Sequence, residues 1–412
     1  MSSSSPRPRL LWIAPSAPGA RRSGAPVYSA GLVAAAAEAG AKVTFLGLRN
    51  PDGDGESSGP FGEGPHPQLT WRVIDAPPRR TASALVSPLP LVAARFSPAP
   101  VRRALREILT AERFDAVVLD NYGAGWAIET LDALAGAARL VYVAHNDETR
   151  LTADIAAHFA GHPLRKLALA ANARKTRLLE RRLLARADVL ATLTPQDRDS
   201  LSAAHPVATR LVLPPGYAGR RVAARRITAG TPRRVVMLGS VRWIAKRMNT
   251  ASFLAAADGR FAAAGIGLDI IGDVPDEFRA EWEPRLRATR FLGFVDDLRG
   301  ALDQARLGLI VEGTGGGFKL KTLDYAFQRV PVAALHGACA GLPEGLAASM
   351  ITASGMDDLA GAVIEAIDDV ARLNVLQEGA YDAATRHFDW ARNGRVLCEA
   401  LAPAARPFVQ AA

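Results

Sequence analysis

Short apolar runs of β-type composition alternate with helical runs along nearly the whole chain. The apolar runs fall at residues 9–14, 42–48, 115–120, 140–144 and 189–193, and again at 234–238, 268–272, 307–311, 330–335 and 350–353. Strands separated by helices form parallel sheets that helices cover on both faces. Because the 412 residues exceed the ~250–300 at which a single core stops growing, the sequence predicts an α/β protein with two domains.

The break between the two series of strands lies near residues 214–230. The sequence LVLPPGYAG (211–219) runs from a strand into Pro-Pro-Gly, and an arginine-rich segment precedes the next strand. Such a cluster of Pro and Gly marks a loop between regular elements. A final helical run, at about 390–401, follows the second series and could pack on either half.

Charge and cysteine content narrow the classes of function. The formal net charge of +9 favours an anionic partner, such as a nucleic acid, an anionic membrane or a charged substrate. The two cysteines, Cys339 and Cys398, lack metal-ligand spacing and exclude a disulfide framework or structural zinc. No apolar run approaches the ~18–20 residues that span a bilayer. The apolar stretch near the start is too short for a signal peptide, so we expect a cytoplasmic protein.

A glycine-rich segment, EGTGGGFKLKTLDYAF (312–327), joins a predicted strand to a predicted helix. A P-loop requires G-x4-G-K-[ST], and the dinucleotide fingerprint requires G-x-G-x-x-G. The segment satisfies neither pattern, because Phe318 stands where each needs its last glycine. ATP hydrolysis and NAD chemistry are therefore disfavoured.

The physical properties of this segment still favour an anionic ligand. A helix predicted to begin near Phe318 presents unpaired amide N–H groups, which can hold a diphosphate or sugar hydroxyls. Lys319 and Lys321 add positive charge in the first turn, where cations are unfavourable without an anion. Asp324 can accept hydrogen bonds from a ribose diol. The alternative is a turn with solvent-exposed lysines.

Six segments, in the same order along the chain, resemble those of a GT-B fold glycosyltransferase of family 4. They are VYVAHNDETR (141–150), LPPGYA (213–218), VVMLGSVRWIAKRMNTASFL (235–254), FLGFVDDLRGALDQARLGLIV (291–311), GTGGGFKLKTLDYAFQRVPVAA (313–334) and HFDWARNGRVLCEAL (387–401). The resemblance implies two Rossmann-like domains that face each other across a cleft. It implies an acceptor-binding domain at 1–214, a nucleotide-sugar-binding domain at 215–386, and a helix at 387–412 that crosses back to the first domain.

The resemblance also implies roles for individual residues. Arg242 and Lys246 would neutralise the leaving diphosphate together with Lys319, and His145 would contact the transferred sugar. The other residues expected at the donor are Ser23, Gly24, Asn146, Gly239, Phe294, Val295, Glu312, Gly315, Gly316, Gly317, Phe318, Lys321 and Asp324. No metal is expected, because cations and helix termini neutralise the diphosphate in this fold.

One position departs from the family pattern. The family often carries two glutamates eight residues apart, whereas here Asp324 takes the second position and Gly316 the first. The acid expected beside the transferred sugar is therefore missing or supplied by Glu312.

The leading hypothesis is a retaining glycosyltransferase that moves a sugar from a UDP- or GDP-sugar to an acceptor hydroxyl, without a cofactor, in bacterial polysaccharide or glycoconjugate biosynthesis. Alternatives on the same fold are a nucleotide-sugar epimerase and a catalytically degenerate nucleotide-sugar-binding subunit. The acceptor is left open between a glycan, a lipid-linked sugar and a small-molecule aglycone.

Two basic stretches bear on the location of the protein. Residues 79–109 and the predicted helix 166–187 suit peripheral contact with an anionic membrane at its inner face, although a solvated helix face or ordinary helix packing would give the same sequence. Nucleic acid is not expected as a partner, because no recognition motif appears.

Overall fold

The computed structural model describes residues 7–17, 24–49, 66–295, 297–312 and 318–401. Its first sheet contains β1 (Arg9–Ser16), β2 (Lys42–Leu48), β3 (Leu69–Ile74), β4 (Ala116–Asp120), β5 (Arg139–Ala144), β6 (Val189–Thr192) and β7 (Thr209–Val212). The strand order is β3-β2-β1-β4-β5-β6-β7, and all neighbouring strands are parallel. The order reverses between β1 and β4, and ligands of such sheets bind beyond the carboxyl ends of the strands at this point.

The second sheet repeats this arrangement. It contains β8 (Arg234–Leu238), β9 (Gly267–Ile271), β10 (Thr289–Gly293), β11 (Leu307–Ile310), β12 (Val332–Leu335) and β13 (Met350–Ala353). The order is β10-β9-β8-β11-β12-β13, again with parallel neighbours. Here the reversal falls between β8 and β11. The two sheets confirm the predicted α/β architecture of two Rossmann-like units.

Helices cover both sheets in the described part of the chain. They are α1 (Gly24–Glu38), α2 (Thr81–Leu85), α3 (Leu91–Arg95), α4 (Ala99–Ala111), α5 (Ile128–Leu134), α6 (Glu148–His158), α7 (Pro163–Arg186), α8 (Pro195–Ala204), α9 (Ile244–Ala263), α10 (Asp276–Trp282), α11 (Leu298–Asp303), α12 (Lys321–Phe327), α13 (Glu344–Ala347), α14 (Met356–Ala366), α15 (Val370–His387) and α16 (Trp390–Leu401). Short 3-10 turns occur at Tyr122–Ala127, Glu283–Arg285 and His336–Cys339.

The central strands are buried on both faces. In β1, Leu11 and Ile13 pack into a core shared with α4, α5 and α7. Leu10 and Trp12 pack on the opposite face, in a core shared with α1 and α16. A strand covered on both sides is apolar at every position, which is why the central strands are the runs that the sequence revealed.

The final helix packs on the first sheet although it follows the second in the chain. Leu397 and Leu401 belong to the core that covers β1. A side chain at Gly394 would collide with the backbone of Ala35 on α1, so the two helices touch through glycine. Asn393 Nδ2 donates to the carbonyl of Pro214. These contacts confirm that the last helix crosses back to the first domain.

Several boundaries differ from those predicted. The edge strands β3 and β10 were not predicted, because their half-exposed residues do not form a continuous apolar run, whereas β7 is the strand that the sequence places before Pro-Pro-Gly. Helix α12 begins at Lys321 rather than near Phe318. The predicted helix 166–187 is observed as α7, and residues 213–233 contain no helix or strand. The stretch 50–67 is crowded with Gly, Pro, Asp and Ser, which predicts a loop, and its residues 50–65 lie outside the described residues. The domain limits at 214 and 386 stay a prediction.

Candidate functional site

The carboxyl end of β8 approaches two lysines. Gly239 follows β8 with φ +126, a backbone conformation that favours glycine. A Cβ added to Gly239 would lie 3.9 Å from both Lys246 Nζ and Lys321 Nζ. Gly272, which follows β9 with φ +132, has no room for a side chain, because a Cβ there would lie 2.5 Å from the carbonyl oxygen of Gly239. Backbone and cations therefore meet closely at this point.

A buried acid lies among these cations. Glu312 follows β11, and its Oε1 forms an ion pair with Lys321 Nζ at 2.6 Å. Lys321 Nζ also donates to the carbonyl of Leu238 at 3.1 Å. Burial alone would raise the pKa of Glu312, but Lys321, Lys319 and Lys246 together hold it below its ordinary value. Glu312 is thus ionised and neutralises one of three neighbouring cations.

The two other lysines share this partly buried site. Burial and the charge of Lys321 lower the pKa of Lys246. Burial lowers the pKa of Lys319 to about 8, with further lowering by Lys321 and Lys246 that Glu312 and Asp197 oppose. A bound anion would relieve this repulsion and raise both pKa values.

A pocket with about 270 Å³ of empty volume opens beside these groups. Four of the predicted donor residues line it: Gly239, Lys246, Glu312 and Lys321. Glu312 Oε2 is buried, and no hydrogen bond to it is found in the described part of the chain. Because buried polar atoms in native proteins are usually hydrogen-bonded, this oxygen is suited to accept a hydrogen bond from a ligand.

Helix α12 fixes the strand ends behind the pocket. The hydroxyl of Tyr325 accepts from the amide of Leu238 at 2.8 Å and donates to the carbonyl of Val236 at 3.1 Å. Asp324, one residue earlier on α12, is half-buried, and burial raises its pKa to about 6. Asp324 is therefore a carboxylate at neutral pH and protonates under mildly acidic conditions.

The first sheet presents a histidine and an acid at neighbouring strand ends. His145 follows β5, and its Nε2 lies 2.6 Å from Oδ1 of Asp120, the last residue of β4. Asp120 Oδ2 accepts from Trp12 Nε1 at 2.8 Å, so both carboxylate oxygens are engaged. The ring of Tyr28 meets the His145 ring edge-on, with centroids 5.0 Å apart. The imidazole is thereby held in one orientation.

Next to His145 the chain enters a cluster of buried acids. Asn146 Nδ2 donates to Glu148 Oε1 at 2.8 Å. Glu180, on α7, accepts from the amides of Glu148 and Thr149 and from the hydroxyl of Tyr142. Burial raises the pKa of Glu148 to about 8, and the neighbouring carboxylates add to this effect while the bond from Asn146 opposes it.

Residues 318–320, which follow β11 of the second sheet, lie close to two elements of the first half of the chain. Asp197, on α8, accepts from the amide of Asp147 at 3.2 Å. The charge of Lys319 opposes the rise that burial produces in the pKa of Asp197, so the two charges are close enough to interact. At the start of α1, a Cβ on Gly24 would lie 3.2 Å from Leu320 Cδ1. The segment 318–320 therefore borders both halves of the chain.

The remaining predicted residues lie farther from the pocket or outside the described ranges. Arg242 is 69% exposed in its side chain and forms an ion pair with Asp273. Phe294 is exposed and Val295 half-buried, both beyond the edge strand β10. Phe318 packs on Phe388, with centroids 5.2 Å apart. The predicted residues Ser23, Gly315, Gly316 and Gly317 lie outside the described residues.

Sequence reasoning missed the acids Asp120, Glu148, Glu180 and Asp197. Asp120 could have been found from the sequence. It ends one predicted strand, and the predicted site residue His145 directly follows the next predicted strand of the same parallel sheet. Across the described ranges, no group of three or more His, Cys, Asp or Glu residues is arranged to hold a metal ion. No helix in the same ranges is long and apolar enough to cross a membrane.

Comparison with known families and structures identifies the fold. The glycosyl transferase 4-like domain matches residues 23–216, and the glycosyl transferases group 1 domain matches residues 232–369. No curated protein was found to match the chain in sequence.

Three solved structures share the architecture over nearly the full length. Sucrose-phosphate synthase from Thermosynechococcus elongatus has a TM-score of 0.68 at 18% identity, with 96% of this chain and 98% of that chain covered. The E. coli trehalose-6-phosphate structure bound with UDP-2-fluoro glucose has a TM-score of 0.65 at 14% identity, covering 96% and 99%. Anabaena HepE in complex with UDP and glucose has a TM-score of 0.59 at 14% identity, covering 97% and 100%.

At these identities the structural likeness establishes the fold, and the two domain matches, which together span most of the sequence, establish the family. The chain belongs to the group 1 glycosyltransferases and is an enzyme with the GT-B fold.

Proposed function

We propose that the enzyme transfers a sugar from a nucleotide-sugar donor to an acceptor hydroxyl with retention of anomeric configuration. The observation that carries this proposal is the cluster of Lys246, Lys319 and Lys321 near the buried carboxylate of Glu312. These cations concentrate positive charge beside the carboxyl end of β8. A diphosphate is an anion that such a cluster attracts, and stabilising it as it leaves is the largest electrostatic task of the transfer.

The proposed chemistry moves three groups. The bond between the anomeric carbon and the diphosphate oxygen breaks, and the acceptor oxygen bonds to that carbon. The acceptor proton leaves on the diphosphate. Lys246 and Lys319 balance the charge that develops there, while His145, oriented by Asp120, contacts the transferred sugar. Arg242, paired with Asp273, has a secondary role in this scheme.

Other predicted residues complete the proposed donor site. Glu312 Oε2 accepts a hydrogen bond from a sugar hydroxyl and so supplies the acid that the family often carries at the position of Gly316. Asp324 binds the ribose, and the backbone beside Phe294 and Val295 contacts the base. Amides near Gly315, Gly316, Gly317 and Phe318 bind the diphosphate and sugar, and Ser23 and Gly24 approach its phosphates from the first domain.

UDP-sugars are the first donors to test, ahead of GDP-sugars. The fold neighbours HepE and the E. coli trehalose-6-phosphate structure hold UDP with glucose and UDP-2-fluoro glucose, which supports this order without fixing the donor of this enzyme. The acceptor in this proposal is a glycan, a lipid-linked sugar or an aglycone. The proposal includes a cytoplasmic location with contact at a membrane surface.

The test is transfer from UDP- and GDP-sugars to an acceptor panel, with the anomeric configuration of the product read by NMR and a parallel reaction in EDTA. Product of the same configuration as the donor, formed equally in EDTA, is the expected result. Epimerised donor without acceptor would indicate an epimerase. Nucleotide binding by calorimetry with no turnover of any acceptor would indicate a binding subunit.

A further inference from the structure

Two segments that contain no acid carry the entire positive excess of the chain. Residues 76–106 contain six arginines, and residues 155–179 contain five arginines and lysines. Without these eleven cations, the 50 Lys and Arg fall to 39 against 41 Asp and Glu. The rest of the chain thus has a net charge of −2. A third acid-free stretch, residues 200–257, holds ten Lys and Arg, but half of these form salt bridges with acids of other elements.

The fold brings the two acid-free segments together on one surface, here called the basic face. Lys175 Nζ, on α7, donates to the carbonyl of Leu85 at 2.8 Å. One turn away, Asn172 Oδ1 accepts from the amide of Leu91 at 2.7 Å. These bonds fasten the segments that contain α2 and α3 to α7, so the two acid-free segments are neighbours in the fold.

Cations within the basic face repel one another. Burial lowers the pKa of Arg102, and the charges of Arg79 and Arg106 lower it further against the opposing charge of Glu129. Such crowding is unfavourable unless an anion lies nearby. The three guanidinium groups therefore form a region of concentrated positive potential.

The two halves of α7 differ in their partners. In the second half, Arg182 and Arg186 form ion pairs with Glu129 and Asp132 of α5. In the first half, no salt bridge to a described acid is found for the cations between residues 163 and 177. The first half of α7, which is largely exposed, is therefore the half whose charge is available to a partner.

Aliphatic side chains are exposed among these cations. Leu164 and Leu167, three residues apart on α7, are 72% and 68% exposed, and Val86, after α2, is 86% exposed. The large side chains exposed on this face are aliphatic rather than aromatic. Single-stranded nucleic acid is typically bound through aromatic stacking, whereas aliphatic side chains beside lysine and arginine suit the interface of a bilayer.

The basic face also adjoins the donor pocket. Leu169 of α7 and Ile155 of α6 form a small apolar cluster with Ala245 of α9. The residue after Ala245 is Lys246, which lines the pocket. The first half of α7 thus packs, through the side opposite Leu164 and Leu167, on the helix that carries Lys246.

We propose that the basic face docks on a bilayer containing anionic lipids, with Leu164, Leu167 and Val86 entering the headgroup region and the surrounding cations neutralising lipid phosphates. Docking in this orientation brings the edge of the cleft to the membrane. If the proposed function holds, an acceptor carried in the bilayer is then within reach of the donor site.

The test is co-sedimentation of the full chain with vesicles of phosphatidylcholine alone or of phosphatidylcholine with phosphatidylglycerol, at two salt concentrations. We expect binding to the anionic vesicles that weakens as salt rises. Replacing Arg165, Lys166 and Arg174 together by Gln removes three exposed cations, each contributing roughly fivefold to partitioning. Binding should then fall roughly 100-fold, while Leu164→Ser with Leu167→Ser should remove the binding that survives high salt.

A matched control changes the same net charge elsewhere. Arg386, Arg392 and Arg395 are exposed on the last two helices, and replacing them by Gln should leave vesicle binding unchanged. Equal losses in both triple variants, or equal binding to neutral vesicles, would overturn the proposal. So would binding to a single-stranded oligonucleotide that depends on the same cations, with no vesicle binding. Vesicle binding is measured without donor or acceptor, so it stands or falls separately from the transfer reaction.

Discussion

The ends of the two sheets that face the cleft carry opposite kinds of buried ionisable group. Beyond the first sheet lie the acids Asp120, Glu148, Glu180 and Asp197, with His145 among them. Beyond the second lie three lysines around one acid, Glu312. The backbone architecture is the same in both places, since each site lies beyond the carboxyl ends of parallel strands near a reversal of strand order.

The two ends therefore differ in the ligand groups they suit, although the fold around them is the same. The basic end attracts a diphosphate, whereas the acidic end, where burial raises the pKa of Glu148, Glu180 and Asp197, offers it no cluster of cations among the described residues. The most direct way to examine this division is to change the charge on one side at a time.

The largest effect is expected from the basic end. Lys246→Met and Lys319→Met should each lower kcat/KM for a UDP-sugar by roughly 100- to 1,000-fold, because each removes a cation that stabilises the leaving diphosphate. Arg242→Met is the matched control, since Arg242 is exposed and paired with Asp273, and should lower it by less than roughly tenfold. A larger loss in Arg242→Met than in Lys246→Met would reverse the assignment of the two cations.

The next effect tests the acidic end. Asp120→Asn keeps an acceptor for Trp12 Nε1 but removes the charge beside His145. In Asp120→Asn we expect kcat to fall roughly 10- to 100-fold with nucleotide affinity unchanged. In His145→Ala, kcat should fall by at least as much. Asp188→Asn is a suitable control, because Asp188 accepts from Leu140 at the opposite end of the strands. Weaker nucleotide binding in Asp120→Asn would show that the two ends are not independent.

A smaller effect concerns the ribose acid. Burial raises the pKa of Asp324 to about 6, so the carboxylate protonates as the pH falls through that value. In the unchanged enzyme, UDP affinity should therefore fall as the pH drops below 6. In Asp324→Asn, UDP affinity should be roughly tenfold weaker and should not change with pH in this range. Calorimetry above and below this pH measures both. Identical pH profiles would remove Asp324 from the ribose.

The last prediction concerns stability rather than activity. Burial holds the pKa of Glu148 at about 8, above its value in an unfolded chain, so its contribution is fully present under acidic conditions and is lost as the pH rises toward 8. Each unit of this difference corresponds to about 1.4 kcal/mol. Glu148→Gln should therefore have a melting temperature that depends less on pH, whereas exposed Glu107→Gln should behave like the unchanged protein. Parallel melting curves for both variants would contradict the buried-acid description.

The fold could be predicted from the sequence because each central strand is visible as a short run of neighbouring apolar residues. The central strands are apolar at every position, as in β4 and β5, whereas the edge strands β3 and β10 are half-exposed and gave no such signal. The basic end was also predicted, since Glu312, Lys319 and Lys321 lie within ten residues of one another. The acidic end was not, because Glu180 reaches Glu148 from 32 residues away and only the packing of α7 against α6 brings them together.

The return of α16 to the first domain also bears on how the protein is made. Synthesis proceeds from the N-terminus, and domains generally fold as they emerge. Here Leu397 and Leu401 complete the core that covers β1, so that core stays open until the second domain has been translated. The part of the enzyme that is synthesised first is therefore among the last to finish folding, and nascent chains that stop before α16 would expose the apolar face of α1.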